Sequence, residues 1–176
     1  TDVSCNGLGD GIATVTMNGG TPPFNFLWNT GQTMPTALGL FPGTYTVNVV
    51  DSNGCLASDI VTITEPNSLS ASLLSTTDIP CVGAASGVAS ISVSGGTSPY
   101  TYLWDDSSNQ TNATAVSLIA GSYTVSITDS CGSTVTQAAT INEPLYLSST
   151  INYIDVSCYG YIDGAASVLA EGGSAP

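Results

Sequence analysis

The 176-residue chain contains no lysine, arginine or histidine, and its 13 acidic residues give it a formal net charge of −13. Because no side chain can neutralise a phosphate, binding to nucleic acid or to an anionic membrane surface is disfavoured. The missing histidine removes the usual general base, and the missing lysine and arginine remove Schiff-base chemistry and cationic oxyanion stabilisation. An enzyme is therefore not expected, since only paired carboxylates or a thiolate could still carry catalysis.

Long apolar runs are also missing. A helix that spans a bilayer needs about 18 or more consecutive apolar residues. The sequence contains no such stretch, so direct membrane insertion is not expected. Charged residues make up 7% of the chain and hydrophobic residues 42%, which argues against a disordered chain despite the one-sided charge. The surface must instead consist of serine, threonine, asparagine and glycine, a composition typical of extracellular β-proteins.

The chain repeats itself with a period of 76 to 78 residues. Residues 1–28 match residues 77–104 at an offset of 76, and residues 154–176 match the same opening motif again at an offset of 77. Later motifs lie 78 apart, which predicts two extra residues between Trp104 and Tyr123 and two lost between Asp129 and Cys131.

Glu-Pro pairs at 65–66 and 143–144 are taken as the boundaries between repeats. They predict a first repeat at residues 1–66 that lacks its first strand, a complete repeat at 67–144, and the start of a third at 145–176. We expect these residues to be a window cut from a longer array. A donor-strand polymer, in which the tail of one chain completes the head of the next, is the alternative.

The clearest strand pattern lies at residues 43–50 and 121–128, GTYTVNVV and GSYTVSIT. Apolar residues alternate there with threonine, asparagine or serine, the period of two that is typical of a half-buried strand. Shorter alternating segments surround it, and no segment shows a helical period. About seven short strands per repeat, with turn signals roughly every 8–12 residues, predict an all-β fold: a tandem array of immunoglobulin-like β-sandwich repeats.

Aromatic residues recur at equivalent places in the two repeats. Trp28, Tyr45, Trp104 and Tyr123 are predicted to be core residues. A sugar-stacking platform on the aromatic strands is the alternative interpretation.

Five cysteines follow the repeat. Cys5 and Cys55 are 50 residues apart, and so are Cys81 and Cys131. This spacing predicts two disulfides within repeats, Cys5–Cys55 and Cys81–Cys131, each stabilising its repeat by about 3–4 kcal/mol. Cys158 aligns with the first cysteine of each repeat, so its partner is expected outside the chain. A free thiol, an intermolecular bridge or a metal site are the alternatives, and disulfides indicate an oxidising location.

Several carboxylates also recur with the repeat, and capping of turns is the preferred interpretation of them. No cofactor is expected, with Ca²⁺ at the repeat junctions as the alternative. Its candidate ligands are Asp2, Asp10, Glu65, Asp78, Glu143, Asp155 and Asp163. Asn109 and Asn112 fit the N-glycosylation pattern.

The repeated motifs follow one order: Cys-x-Gly, Asp-Gly-x-Ala, Gly-Gly-Thr-x-Pro-Tyr-x-Tyr-x-Trp, Gly-Thr-Tyr-Thr-Val-x-Val-x-Asp-x-x-Gly-Cys and Thr-Ile-x-Glu-Pro. This order resembles the SprB repeat, which occurs in very large surface adhesins of gliding Gram-negative bacteria that are typically exported by type IX secretion. The resemblance covers essentially the whole chain, as roughly two and a third copies. The second copy departs from it at Ser86, which replaces the turn aspartate, and at Gly132, which follows its cysteine instead of preceding it.

The resemblance implies a secreted protein of the bacterial cell surface that contributes to adhesion or gliding, and it offers no catalytic residues to transfer. We expect a non-enzymatic, disulfide-stapled shaft whose partners are neighbouring repeats of the same chain. One alternative is a module that binds surface glycans through the 104–120 loop. A subunit that assembles with other copies into a fibre, and an accessory region of an enzyme, are the others.

Overall fold

The computed structural model describes residues 1–173, and every regular element among them is a β-strand. The first repeat contains β1 (Gly11–Thr14), β2 (Asn25–Trp28), β3 (Thr36–Leu40), β4 (Gly43–Val50) and β5 (Leu56–Ile63). The second contains β6 (Ser70–Thr77), β7 (Gly87–Ser94), β8 (Thr101–Trp104), β9 (Thr114–Leu118), β10 (Gly121–Thr128) and β11 (Thr134–Ile141). The third contains β12 (Ser148–Ile154) and β13 (Ala165–Glu171). The second repeat thus has six strands rather than the predicted seven.

Each of the first two repeats places its strands in two sheets. The first repeat forms β1-β3 and β2-β4-β5, and the second forms β6-β7-β9 and β8-β10-β11. The strand predicted most clearly, β4, lies in the middle of its sheet, where it pairs antiparallel with β2 and along its full length with β5. Its alternating pattern fits this position, since one face of the strand is buried and the other is not.

The two sheets of the first repeat share one hydrophobic core. Ala13, Ala37 and Leu40 come from one sheet, and Trp28 and Val47 come from the other. Side chains from both sheets meet in this single buried cluster, so the sheets pack face to face as in a β-sandwich. The predicted all-β fold, built from sandwich-type repeats, is confirmed.

The second repeat buries residues at the equivalent positions. Ala89, Ala115 and Leu118 lie in one sheet, and Trp104 and Val125 lie in the other, all of them at most 2% exposed. Burying a valine or leucine side chain of this kind contributes about 1.5–3 kcal/mol. The same few apolar positions therefore stabilise both copies.

The first strand of a repeat is present in the second and third repeats, where β6 and β12 pair with β7 and β13. In the first repeat, only Thr1 occupies this place, and its backbone exchanges two hydrogen bonds with Ile12. Alongside lies an open groove of about 400 Å³ that includes Ile12, Val15 and Ile60.

In the third repeat only one sheet is described, and its inner face is open. Val168 takes the place of Ile91 at the offset of 77, yet it is 66% exposed where Ile91 is 5% exposed. The reason is that no strand equivalent to β8, β10 or β11 faces it within residues 145–173.

The described residues form two compact units. One contains Thr1–Ser70, Val93–Tyr100 and Thr128–Val135, and the other contains the remaining residues. One end of the second repeat thus belongs with the first unit, and the predicted limits at residues 66 and 144 remain predictions. No helix within residues 1–173 is long and apolar enough to cross a bilayer.

Candidate functional site

A disulfide joins the first repeat to the second. It connects Cys5 and Cys131, which are 126 residues apart in sequence and whose Cα atoms lie 5.9 Å apart. This pairing differs from the predicted pairs Cys5–Cys55 and Cys81–Cys131. Cys55, Cys81 and Cys158 are exposed free thiols.

The predicted pairs do not form because the two cysteines of a repeat lie at opposite ends of it. The loop that follows Cys5 is held at the end of β5, where the backbone N–H of Gly7 donates to the Glu65 carboxylate at 2.7 Å. Cys55 directly precedes β5 at its other end. Eight residues of strand span roughly 25 Å, whereas the Cα atoms of a disulfide lie within about 7 Å.

The equal spacing of 50 residues was misleading because the second cysteine shifts within its turn. In the first repeat, Asp51 accepts hydrogen bonds from the backbone N–H groups of Asn53 and Cys55. In the second repeat, Asp129 accepts them from Cys131 and from the residue two positions after it. Cys131 therefore stands where Asn53 stands in the first repeat. No residue is lost in this turn, and the predicted deletion was wrong.

The linker at residues 67–69, where the chain enters the second repeat, is also held by non-covalent contacts. The N–H of Gly96 donates to the Asn67 carbonyl at 2.7 Å, and the hydroxyls of Ser70 and Ser94 lie 2.7 Å apart. Leu69, in the same linker, is 8% exposed. The linker after the Glu-Pro pair thus lies against the Gly-Gly turn of the repeat that follows it.

Neither glycine of this turn admits a side chain, and Gly95 is the more tightly enclosed of the two. Its φ of +65° lies in the left-handed region, and a Cβ there would overlap the carbonyl oxygen of Ser68. We expect Gly95→Ala to lower the free energy of unfolding by about 2–3 kcal/mol, since the left-handed conformation alone costs a non-glycine residue roughly 1–2 kcal/mol. Urea unfolding followed by circular dichroism measures the change.

The matched control is Gly19→Ala, at the equivalent turn of the first repeat. Nothing lies within 4 Å of a Cβ built there, so this change should alter the free energy of unfolding by less than about 0.5 kcal/mol. Equal effects of the two substitutions would contradict the proposed contact between linker and turn.

Asp129 holds together the part of the second repeat that contacts the first repeat. Its carboxylate accepts hydrogen bonds from the backbone N–H groups of Thr97, Cys131 and Ser133 at 2.8–3.1 Å, and the residue is 7% exposed. The hydroxyl of Thr97 donates in turn to the carbonyl of Ser4, next to the disulfide. One carboxylate therefore fixes the turn that carries Cys131 and the residue that contacts the first repeat.

The pKa values of the two turn aspartates are lowered. Hydrogen bonds from the backbone N–H groups of Thr21 and then Cys55 lower the pKa of Asp51 below its usual 3.8. Burial raises the pKa of Asp129, but hydrogen bonds from Thr97 and its neighbours outweigh this, and the net pKa is lowered. The charged form of both carboxylates is thus stabilised by neutral donors, since the chain has no cationic side chain.

These shifts predict how stability depends on pH. A lowered pKa in the folded state contributes stability above the unfolded pKa, and this contribution is lost as the pH falls through the folded value. We expect the melting temperature, measured in 1 M salt to screen repulsion among the carboxylates, to be level above about pH 5 and to fall below about pH 4.

Asp129→Asn should lower the melting temperature at pH 7 by several degrees and flatten its fall in acid, since an amide cannot accept all three N–H groups. The exposed Asp59→Asn serves as the matched control and should leave the curve unchanged. A melting temperature that rises on acidification in 1 M salt would contradict the prediction.

The candidate calcium ligands are mostly occupied by hydrogen bonds of the fold. Six of these carboxylates accept a hydrogen bond from a backbone N–H group: Thr64 to Asp2, Ser4 to Asp10, Gly7 to Glu65, Asn142 to Asp78, Gly83 to Glu143, and Ser157 to Asp163. Asp155 is exposed. Residues 1–173 bring no three acidic, cysteine or histidine side chains together as a metal site. Calcium at the repeat junctions remains the untested alternative to the expectation of no cofactor.

The predicted core aromatics occupy two kinds of position. The indoles of Trp28 and Trp104 are buried, and their Nε1–H groups each donate 2.9 Å hydrogen bonds to a backbone carbonyl. Tyr45 and Tyr123 are half-buried, and their hydroxyls donate to carbonyls four residues earlier, at 2.9 and 3.0 Å. Both kinds of residue therefore pack into the core and also donate a hydrogen bond that closes a neighbouring loop.

The 104–120 segment is held by a glutamine that sequence reasoning missed. Gln110 donates to the carbonyl of Val116 and accepts from its N–H, at 2.9 and 3.0 Å. Gln32 makes the same pair of bonds with Leu38 in the first repeat. The recurrence of glutamine at an offset of 78 was the available signal. Asn109 and Asn112 are exposed in this segment, and their glycosylation remains a prediction.

Two segments of the chain match the family model of the SprB repeat, residues 1–33 and residues 73–109. The two matches cover the first cysteine and the aromatic strand of the first and second repeats. The resemblance inferred from the motifs is thus confirmed for these segments. The SprB repeat is a structural repeat of cell-surface proteins and not an enzyme family. A search of curated proteins finds no match to the chain.

Proposed function

We propose that these SprB-repeat segments belong to the shaft of an adhesin on the bacterial cell surface, with a mechanical role in adhesion or gliding. The observation that carries the proposal is the disulfide between Cys5 and Cys131, which joins two consecutive repeats by a second covalent connection besides the backbone. A chain of independent domains does not need such a connection. A shaft that transmits force between repeats benefits from it.

The use of polar side chains supports the same proposal. Asp51 and Asp129 cap turns, Gln110 braces a loop, and Glu65 and Glu143 hold the loops after the first cysteines. These groups stabilise the repeat and its ends, and they recur from copy to copy. Such recurrence is expected of a structural element whose length is set by the number of copies.

The charge of the chain fits an extracellular shaft. With 13 acidic residues and no basic side chain, neighbouring shafts repel one another along their whole length at low salt. The repulsion acts over about 10 Å at 0.1 M ionic strength. It opposes lateral association without weakening the hydrogen bonds at the turns, whose donors are uncharged.

Immunogold labelling of intact cells tests the proposal. Antibodies raised against the 176-residue chain should place gold particles on filaments outside the cell, without permeabilisation. Labelling that appears only after permeabilisation would contradict it. Cells expressing the protein with this region deleted should lose adhesion to glass or gliding speed, and unchanged adhesion and gliding would also count against the proposal.

A further inference from the structure

We propose that the bond between Cys5 and Cys131 is one member of a series. In this series, the first cysteine of each repeat bonds a cysteine in the turn that follows the central strand of the next repeat, as Cys131 follows β10. Cys81 then bonds a cysteine in the repeat that follows it, and Cys158 does the same one repeat further on. Cys55 bonds the first cysteine of a preceding repeat. The inference rests on the proposed function, since it requires repeats that continue in tandem.

The first cysteine occupies the same local structure in all three repeats. A backbone N–H three residues later donates to the carbonyl of Cys5, of Cys81 and of Cys158, at 3.1 Å in each case. In the second repeat, Gly83 donates to Glu143 at 2.9 Å, as Gly7 donates to Glu65 in the first. Cys81 is therefore held at the end of its repeat in the same way as Cys5, but it is unpaired and exposed.

The junction after Cys81 repeats the junction after Cys5. The N–H of Gly173 donates to the Leu145 carbonyl at 2.8 Å, as Gly96 donates to Asn67 at 2.7 Å. Gly172 has a φ of +77°, and a Cβ on it would overlap the Tyr146 carbonyl, just as one on Gly95 would overlap the carbonyl of Ser68. Linker and Gly-Gly turn therefore pack in the same way at both junctions.

The partner of Cys81 can be placed from this repetition. In the second repeat, the turn that carries Cys131 is tied to the Gly-Gly turn, since the N–H of Ser130 donates to the carbonyl of Thr97 at 2.9 Å. The same turn of a third repeat would lie beside Gly172 and Gly173. A cysteine there would face Cys81 across the junction.

Cys55 would be the second partner of a bond in this series, with the first cysteine of a preceding repeat as the other partner. It lies in the turn of the first repeat that corresponds to the turn of Cys131, two positions further along. Within its own repeat, Cys5 is at the opposite end and already bonded. A cysteine of a preceding repeat is then the partner in the series.

The reaction is an ordinary thiol oxidation. Two thiols lose two protons and two electrons to a disulfide-exchange partner, whose own disulfide is reduced to two thiols. The oxidising compartment outside the cytoplasm supplies such partners. No other reagent is required.

Thiol counting on the 176-residue chain is the first part of the test. With the native chain alkylated at acidic pH, the cross-repeat pairing leaves three free thiols, at Cys55, Cys81 and Cys158. Pairing within repeats would leave one, at Cys158. Three modified cysteines support the proposal and one overturns it.

Non-reducing peptide mapping of the protein isolated from its source is the second part, with a protease that cleaves at acidic residues because trypsin has no sites. We expect the Cys81 peptide to be linked to a peptide from the following repeat. A free Cys81, or a Cys81–Cys131 link, would overturn the series. If the isolated protein showed no further repeats by intact mass, the shaft itself would be wrong, and this outcome is distinct from an array whose Cys81 is free.

Discussion

Pulled from its two ends, the oxidised chain should extend about 440 Å less than the reduced chain, because Cys5 and Cys131, 126 residues apart in sequence, hold the segment that they enclose inside a closed loop. A stretched residue contributes roughly 3.5 Å, so opening this single bond releases the whole hidden length. Single-molecule force spectroscopy with and without a reductant measures the difference in contour length directly.

Two serine substitutions test which bond is responsible for the hidden length. Cys131→Ser should give the reduced contour length even without reductant, whereas Cys55→Ser, the matched control, should behave like the unmodified chain. Pairing within repeats would hide two segments of 50 residues, and either substitution would then release one of them. An effect of Cys55→Ser on the contour length would therefore contradict the cross-repeat bond.

Replacing the indole at the centre of the second repeat should have the largest effect of any core substitution. Trp104 is fully buried, and its Nε1–H donates to the Asn112 carbonyl at 2.9 Å. Trp104→Ala leaves a large cavity and an unpaired carbonyl, so we expect a loss of about 3–5 kcal/mol in the free energy of unfolding. Urea unfolding followed by circular dichroism measures the loss, since the substitution removes a fluorescent reporter.

The control for this substitution is the neighbouring residue on the same strand. Leu103 is 53% exposed and lies on the opposite face of β8. Leu103→Ala should change the free energy of unfolding by less than about 0.5 kcal/mol. Equal losses in the free energy of unfolding for the two substitutions would contradict a central role of Trp104 in the core. As a further check, hydrogen exchange should show that Trp104→Ala lowers protection mainly in the second repeat.

Much of the fold could be predicted because it depends on local patterns. The alternation in Gly43–Val50 and Gly121–Thr128 reflects strands with one buried face, and both are central strands of a sheet. The internal repeat identified most of the equivalent residues, but it wrongly matched Cys55 with Cys131. The number of strands was overestimated, since turn signals do not say how many of the short segments between them pair.

The cysteine pairing could not be predicted because it depends on which end of the repeat each loop occupies. The separation of Cys5 and Cys55 equals that of Cys81 and Cys131 only by coincidence. Two residues inserted before Gln110 compensate for the position of Cys131, which lies two places earlier in its turn than Cys55. Position along the sequence does not reveal such a coincidence. The hydrogen bond from Gly7 to Glu65, which places Cys5 at the far end of β5, joins residues 58 apart and leaves no local pattern.

The junction was hidden for a similar reason. Gly95 and Gly96 read as an ordinary turn, and only the packing of the linker at residues 67–69 shows why no side chain fits there. Asp51 and Asp129 stand at equivalent positions, directly after the central strand of each repeat. Their burial and their three backbone donors depend on the folded loops around them.

The loop closed between Cys5 and Cys131 also changes what a single break in the backbone does. A peptide bond hydrolysed anywhere between these residues leaves both fragments joined through the disulfide. In a series, the loop that begins at Cys81 would overlap this one, so every peptide bond of the array would lie inside at least one loop. One cut would then lower the local stability of a repeat without severing the filament, and detachment would require a second, nearby break.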